Sequence, residues 1–434
     1  MSPVDLAVVL LPGRADDRPR AAGSPLRRLL GLTLVERTVL AAAESGVKDL
    51  VLVGSSGAGW EAVAARIGRD RRVVARSLHL EFVPAAGFGA AMRERAPGRP
   101  FWLLRGNLVF DPRLPAAAVA AERGDNDVLL VPGGLALCPP SAAAKLAGTL
   151  EASGVPPSES KGLEGMFEPA TCRTFEIGPR FCLEVLDRDS FRTAERRLLD
   201  TARKPTDGFF SRHFNRHISL FLTRQFLRTG IAPLPLSVVT LLIGLASGWF
   251  ISRGGYGPSA LGAFLFDFAS IFDGCDGENA RLTYRTSKFG GFFDITCDAV
   301  IFVLFFLCLP LGLYRSSHRV IWIHLGLLAL VSMGVFYALL VGYMKRARLG
   351  NNIVAIAKQI EGNGPTPGFI GRLHGIAAKA AFIYRRDFFS TAASLIVLAG
   401  GAGVLMGLLG VFMPLQAFYM FLFSLSRRRP LPTS

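Results

Sequence analysis

Two hydrophobic patterns divide the chain near residue 230. Before that point, short apolar runs such as DLAVVLLPG and KDLVLVGSS alternate with longer stretches, such as TLVERTVLAAAESGV, that are typical of helices. Strands and helices in alternation indicate a parallel sheet that is covered by helices on both faces. We therefore predict an α/β domain over residues 1–203.

Long apolar runs dominate the rest of the chain. Each run has about the length that a helix needs to cross a bilayer. The six runs cover residues 233–252, 257–281, 289–313, 319–344, 386–402 and 404–425. They predict an all-α domain of six transmembrane helices over residues 231–434.

The segment between these domains, residues 204–230, is predicted to be an amphipathic helix. Five apolar residues share one face, and four arginines lie among them. They are Phe210, Phe214, Ile218, Phe221 and Leu222, with Arg212, Arg216, Arg224 and Arg228. A basic amphipathic helix beside membrane spans is expected at the level of the lipid headgroups. An ordinary helix packed between domains is the alternative.

The charge of the chain fits a membrane protein. The formal net charge is +16, and the loop RLTYRTSK, the segment 345–386 and the tail SRRRP are basic. The loops on the other side, SRGGYG and YRSSHR, are short and less basic. Because lysine and arginine collect in cytoplasmic loops, we expect both termini on the cytoplasmic side of the bilayer. No nucleic-acid signature accompanies the charge, and lipid headgroups and phosphates account for it.

The stretch FDGCDGENARLTYRTSKFGGFFDITCD places four aspartates inside the apolar half of the chain. Four uncompensated charges near the middle of a bilayer would cost on the order of 10 kcal/mol. Asp273 and Asp276 are three residues apart, and Asp294 and Asp298 are four apart, so each pair shares a helix face. The short connection makes the two helices antiparallel neighbours. We expect the four carboxylates to converge on Mg²⁺, Mn²⁺ or Ca²⁺.

This arrangement resembles the signature of the CDP-alcohol phosphotransferase family. The order is Asp273-x-x-Asp276-Gly277-x-x-Ala280-Arg281, eight residues, then Gly290-x-x-x-Asp294-x-x-x-Asp298, and every signature position is filled. The resemblance implies a dimeric, six-span membrane enzyme. Such an enzyme moves a substituted phosphoryl group from a CDP-alcohol to an acceptor hydroxyl and releases CMP, with its active site on the cytoplasmic side.

The resemblance also implies roles for single residues. Asp273, Asp276 and Asp294 would hold Mg²⁺ or Mn²⁺, and Asp298 would share an ion and act as the general base. The cytidine and phosphate site would be lined by Gly277, Ala280, Arg281 and Gly290. One position departs from the family pattern, because Leu234 follows Pro233 where asparagine is usual.

Basic residues around the long loop are candidates for binding the phosphate of an acceptor, as in family members that use phosphorylated acceptors. They are Lys345, Arg346 and Arg348 after the fourth span, and Arg385 and Arg386 before the fifth. Anchoring of the loop on the cytoplasmic side explains the same residues equally well.

The first domain resembles the nucleotidyltransferase fold that makes sugar or polyol nucleotides. Gly13 and Arg14 stand in the expected phosphate loop, but Ala15 replaces a glycine. Arg27 and Arg28 stand near the place of a lysine, and Asn107 replaces the metal-binding aspartate. A degenerate domain is therefore the favoured interpretation, because asparagine lacks the charge that a hard cation prefers.

Fusion of the two domains resembles a subgroup that makes CDP-inositol and joins it to inositol 1-phosphate, giving di-myo-inositol phosphate phosphate. If the first domain is active, the donor is made in the same chain. If it is inactive, CDP-diacylglycerol is the main candidate donor and the product is a phospholipid or its phosphate. A non-catalytic membrane sensor of CDP-alcohols and, less favoured, an ion transporter are hypotheses of another class.

Overall fold

The structure is a computed structural model, and it describes residues 4–11, 23–57, 59–95, 98–121, 127–153, 163–203, 214–346 and 386–426. The chain forms two compact units. The first comprises Met1–Ala202 with Leu227–Gly230 and Arg281–Arg285. The second comprises Arg203–Phe226, Ile231–Ala280 and Thr286–Ser434.

The first unit is built on eleven described strands. In chain order they are β1 Leu6–Leu10, β2 Arg28–Leu29, β3 Leu32–Thr33, β4 Asp49–Gly54, β5 His79–Pro84, β6 Phe101–Arg105, β7 Leu108–Phe110, β8 Val128–Val131, β9 Leu135–Cys138, β10 Cys172–Thr174 and β11 Cys182–Glu184. Seven of them form one sheet in the order β10-β8-β9-β6-β1-β4-β5, and β2–β3 and β7–β11 form separate pairs.

Seven described helices accompany these strands. They are α1 Leu34–Glu44, α2 Trp60–Gly68, α3 Arg71–Val74, α4 Phe88–Arg95, α5 Leu114–Val119, α6 Ala142–Ser153 and α7 Arg188–Thr201. Short 3-10 turns cover Ala85–Gly87, Leu163–Met166 and Pro169–Thr171.

Helices cover both faces of the sheet. Strand β1 is fully buried, and its residues alternate between two apolar cores because successive side chains of a strand point to opposite faces. Val9 packs in the core that contains Val39 of α1 and Trp60 of α2. Val8 packs in the core that contains Phe88 of α4 and Leu146 of α6, among others.

The sheet is parallel only in part, which corrects the sequence-based expectation of a parallel sheet. Strands β5, β4, β1 and β6 run parallel to one another, but β9 is antiparallel to both β6 and β8. The reason is local. Gly133 and Gly134, with φ of 103° and 104°, connect β8 and β9 by a turn. A turn this tight joins antiparallel strands, whereas parallel strands need a long crossover.

Arg37 of α1 stabilises a strained turn between β2 and β3. Leu30 and Gly31 have φ of 49° and 83°, and a positive φ is unfavourable for leucine. The Arg37 side chain is 1% exposed. Its Nη2 donates to the carbonyls of Leu29 and Leu30 at 2.9 and 3.2 Å, and its Nη1 donates to that of Leu282 at 3.0 Å.

We expect Arg37→Leu to lower the free energy of unfolding of the first unit by about 3 kcal/mol, because it leaves buried carbonyls without donors. Thermal unfolding of the full chain, with limited proteolysis of the first unit, measures the loss. Arg66→Leu is the control, because the Arg66 side chain is 60% exposed and its ion pair with Glu36 is long, at 3.7 Å. An Arg37→Leu protein as stable as the control would contradict the role of Arg37.

The second unit is helical. Its described helices are α8 Arg216–Thr229, α9 Pro233–Ser252, α10 Tyr256–Leu282, α11 Lys288–Ser317, α12 Ile321–Arg346, α13 Arg386–Leu398 and α14 Ala402–Ser426. The last residues of α8 and α10 belong to the first unit. A phenylalanine core holds α10, α11 and α13 together, with Phe266 stacked on Phe305 at 4.3 Å and Phe306 stacked on Phe389 at 6.0 Å.

Four described helical segments are long and apolar enough to cross a membrane: Pro233–Ser252, Lys288–Ser317, Ile321–Tyr343 and Ala402–Ser424. Helix α10 is long, with 27 residues, but carries several charged side chains. Helix α13 contributes the shorter apolar segment Phe388–Leu398. The predicted count of six spans therefore stays a prediction.

Candidate metal and nucleotide site

Two consecutive helices carry the aspartates. Asp273 and Asp276 lie one turn apart on α10, and Asp294 and Asp298 lie one turn apart on α11. Ser287 caps the start of α11, where its Oγ accepts a hydrogen bond of 2.9 Å from the backbone N–H of Gly290. The serine cap therefore fixes where α11 begins, and with it the turn on which Gly290 and then Asp294 follow.

Three of the four carboxylates converge. Asp273, Asp294 and Asp298 each offer a carboxylate oxygen, and these oxygens lie within 4.8 Å of one another. All three side chains are half-buried. Carboxylate oxygens at this separation fit a hard divalent cation, which also offsets the mutual repulsion of the three charges.

Asp276 lies outside this group of three. It is buried, and the hydroxyl of Ser237 on α9 donates a hydrogen bond to its carboxylate. The predicted role of Asp276 as a fourth ligand stays a prediction. Sequence reasoning missed Ser237, although a serine one turn after Pro233 in an apolar span was a usable signal.

Three of the remaining signature residues lie on α10, and the fourth lies on α11. Gly277 and Ala280 are half-buried, and the helical period puts them on the side of α10 that carries Asp273. Gly290 lies in the first turn of α11. Arg281 is grouped with the first unit, where its Nη2 donates to the carbonyl of Ala202 at 2.8 Å.

The predicted acceptor site falls partly outside the described residues. Lys345 lies in the last turn of α12 and is exposed. Arg346 ends α12 and Arg386 begins α13, and Arg348 and Arg385 lie outside the described residues. The acceptor role of these residues stays a prediction.

In the first unit, Asn107, which the sequence resemblance aligns with a metal-binding aspartate, is a core residue. Asn107 is 0% exposed, and its Nδ2 donates to the carbonyl of Val185 at 2.9 Å. Within the described part of the chain, no donor reaches its Oδ1. Gly13, Arg14 and Ala15 lie outside the described residues. Arg27 stacks on Phe191 at 4.0 Å, and Arg28 is exposed.

Asp111 is the next acidic residue along the chain after Asn107, and it is engaged by Arg113. Arg113 donates to the two oxygens of Asp111 at 3.0 and 2.7 Å. Burial acts to raise the pKa of the Asp111 carboxyl, but the bonds from Arg113 hold that pKa below its ordinary value. Asp111 is thus a salt-bridged structural carboxylate.

The sequence around the site matches a known family model. Residues 231–405 match the family model described as CDP-alcohol phosphatidyltransferase. The C-terminal half of the chain therefore carries a domain of this transferase family, which confirms the resemblance seen in the signature.

Two curated relatives share the name "Bifunctional IPC transferase and DIPP synthase". The chain is 38% identical over 146 residues to the one from Thermococcus kodakarensis, which is 33% of this chain and 32% of that protein. It is 33% identical over 153 residues to the one from Aquifex aeolicus, which is 35% of each. The matches thus span about a third of the length of these relatives.

A solved structure, described as the inositol-1-phosphate CTP transferase from T. maritima, aligns with 45% of this chain and 96% of its own at 13% identity. Its TM-score is 0.33, which is too low to establish a shared fold or function.

Removal of one converging carboxylate should weaken cation binding. We expect Asp294→Asn and Asp273→Asn to raise the half-saturating concentration of Mn²⁺ on the order of tenfold or more, because each loses a charged ligand. The electron paramagnetic resonance signal of free Mn²⁺, titrated against purified full-length protein in lipid, gives this concentration.

The matched control is Asp267→Asn. Asp267 is another carboxylate of α10, but it accepts a hydrogen bond of 2.8 Å from Thr391 of α13 and is not one of the three converging groups. If Asp267→Asn weakened Mn²⁺ binding as much as Asp294→Asn does, the effect would not be local to the cluster.

Proposed function

We propose that the protein is an integral membrane CDP-alcohol phosphotransferase. It transfers a substituted phosphoryl group from a CDP-alcohol donor to the hydroxyl of an alcohol or polyol-phosphate acceptor and releases CMP. The observation that carries this proposal is the convergence of Asp273, Asp294 and Asp298 from two helices inside a segment that matches the family model.

In this proposal, Mg²⁺ or Mn²⁺ is held by Asp273, Asp294 and Asp298, with Asp276 as a further ligand. The cation supplies positive charge against the pyrophosphate of the donor and the CMP that leaves. The donor set fits such an ion because all of its members are carboxylates. Gly277, Ala280 and Gly290 leave room for the nucleotide to approach the backbone, and Arg281 offers a planar fork to phosphate.

Asp298 is proposed as the general base for the acceptor. Its carboxylate takes the proton of the acceptor hydroxyl as the acceptor oxygen bonds to the phosphorus that carries the alcohol group. The bond between that phosphorus and the oxygen shared with the second phosphate breaks, and CMP leaves with that oxygen. The position of Asp298 within the converging group supports this role, because the same cluster would hold the donor pyrophosphate.

The membrane arrangement is part of the proposal. Six spans cover residues 231–434, and the amphipathic segment 204–230 lies at the cytoplasmic headgroups. The domain over residues 1–203, both termini and the active site then lie on the cytoplasmic side. Outward apolar residues near and on α8, among them Phe214, Ile218 and Phe221, support contact with lipid. The family resemblance adds a homodimer.

We expect purified protein in lipid to release CMP with Mg²⁺ or Mn²⁺ when it receives its donor. CDP-diacylglycerol and CDP-inositol are each supplied with glycerol 3-phosphate or inositol 1-phosphate. Asp298→Asn should lower the turnover number about 10²–10⁴-fold, because it removes the base. Asp267→Asn, which keeps its acceptor oxygen for Thr391, should retain activity.

The outcomes separate the hypotheses. CMP release only with CDP-diacylglycerol assigns a phospholipid-type reaction, and release with CDP-inositol assigns a polyol-phosphate reaction. Binding of cytidine nucleotide without release from any donor would favour a non-catalytic sensor and contradict the enzyme. Full activity of Asp298→Asn would contradict the role of Asp298 as the base.

A second candidate function is synthesis of the donor by the first unit of the same chain. The shared name of the relatives favours it, since they are described as bifunctional. The burial of Asn107 and its bond to Val185 weigh against it, because a neutral core side chain is a poor ligand for a catalytic cation.

We therefore expect no CDP-inositol from CTP and inositol 1-phosphate, measured by pyrophosphate release and chromatography. The same preparation, supplied with its preformed donor, serves as the control that the protein is intact. Formation of CDP-inositol above the background of a denatured sample would show that the first unit is active despite Asn107.

A further inference from the structure

Glu278 is a buried carboxylate on α10 that the proposed chemistry does not use. Its side chain is 0% exposed, and three side chains of α8 donate to it. Arg216 Nη1 lies 2.6 Å from its Oε1, Ser219 Oγ lies 2.7 Å from the same oxygen, and Thr223 Oγ1 lies 2.7 Å from its Oε2. The three donors are three and four residues apart, so they form one face of α8.

Glu278 points away from the cation site. At about 100° per residue, Glu278 lies about 140° around the helix axis from Asp273 and about 160° from Asp276. It is therefore no candidate ligand for the proposed cation. It can act on the site only through the helix that it shares with Asp273.

The contact between α8 and α10 is close as well as charged. A Cβ atom at Gly274 would lie 3.2 Å from Arg216 Nη1 and 3.3 Å from Ser219 Cβ, so a larger residue would require these side chains to shift. The next residue, Asn279, is also 0% exposed, and its Nδ2 donates to the carbonyl of Ile231 at 3.0 Å. Glu278 and Asn279, two neighbouring positions that the signature leaves unassigned, thus both hold α10 through buried hydrogen bonds.

One buried face of α8 is polar, and apolar side chains lie exposed elsewhere on the helix. Arg216, Ser219 and Thr223 are buried, whereas Ile218 and Phe221 are exposed. An apolar seam would permit several rotations of α10 against α8, because dispersion contacts are not directional. A carboxylate with three fixed donors permits only one, and fixing a single arrangement is the best-attested use of a buried polar pair.

We propose that Arg216 and Glu278 are a positioning pair, which fixes the rotation of α10 about its axis so that Asp273 meets Asp294 and Asp298. This inference rests on the proposed function, because it gives the pair a role in the same cation site. Arg216 and Glu278 touch neither substrate nor cation, and they act through the helix.

The test is Mn²⁺ binding by electron paramagnetic resonance, with the full chain in lipid and three variants. Glu278→Gln and Arg216→Met each leave one partner alone. The double variant Arg216→Met/Glu278→Met replaces the pair by apolar side chains. We expect both single variants to raise the half-saturating Mn²⁺ concentration roughly tenfold, as loss of an outer-shell group does.

The double variant separates positioning from stability. A hydrophobic replacement of a buried ion pair commonly preserves stability, so its melting temperature should match that of the wild type. Its Mn²⁺ binding should stay as weak as in the single variants, because the apolar seam no longer sets the rotation of α10. Arg315→Met is the matched control, since Arg315 of α11 donates to the carbonyl of Ser252 at the surface.

Three results would overturn the inference. These are wild-type Mn²⁺ affinity in a folded single variant, recovery of affinity along with stability in the double variant, and a wild-type protein that binds no Mn²⁺. A wild-type protein that binds Mn²⁺ but releases no CMP from any CDP-alcohol would overturn the proposed function alone. The binding assay keeps the two questions apart.

Discussion

The main constraint on the second unit is the repulsion between three carboxylates that lie among apolar helices. Asp273, Asp294 and Asp298 bring oxygens within 4.8 Å of one another. Such a group is unfavourable unless a cation offsets it, and the helices that carry it must be held against that repulsion. The capping of α11 by Ser287 and the buried network around Glu278 both act on these helices.

Helix α10 carries the signature residues and also the residues that bond to its neighbouring helices. One face of the helix carries Asp273, Asp276, Gly277 and Ala280, which are the residues of the family signature. Outside that set, Glu278 holds the helix to α8, and Asn279 holds it to the backbone before α9. Ser237 of α9 adds a bond to Asp276. The helix that bears the candidate metal site is thus held by buried polar contacts to both α8 and α9.

In the first unit, by contrast, a neutral core residue stands at a position where the sequence resemblance leads us to expect a charged one. Asn107 is fully buried and bonded to Val185, and Asp111 is paired with Arg113. The doubly covered sheet around them is intact, with β1 buried between two apolar cores. A fold of this kind persists through its packing, whether or not its polar positions still serve a reaction.

The sequence by itself determined which residues share a helix face, because the spacing of Asp273, Asp276, Asp294 and Asp298 follows the helical period. It also determined the alternation of strands and helices in the first unit and the positions of four apolar spans. Only the tertiary structure decided that β9 runs antiparallel, that Ser237 binds Asp276 and that α8 turns its polar face toward Glu278. Periodicity is a local property, whereas the element that covers a given face is decided by packing between segments distant in the chain.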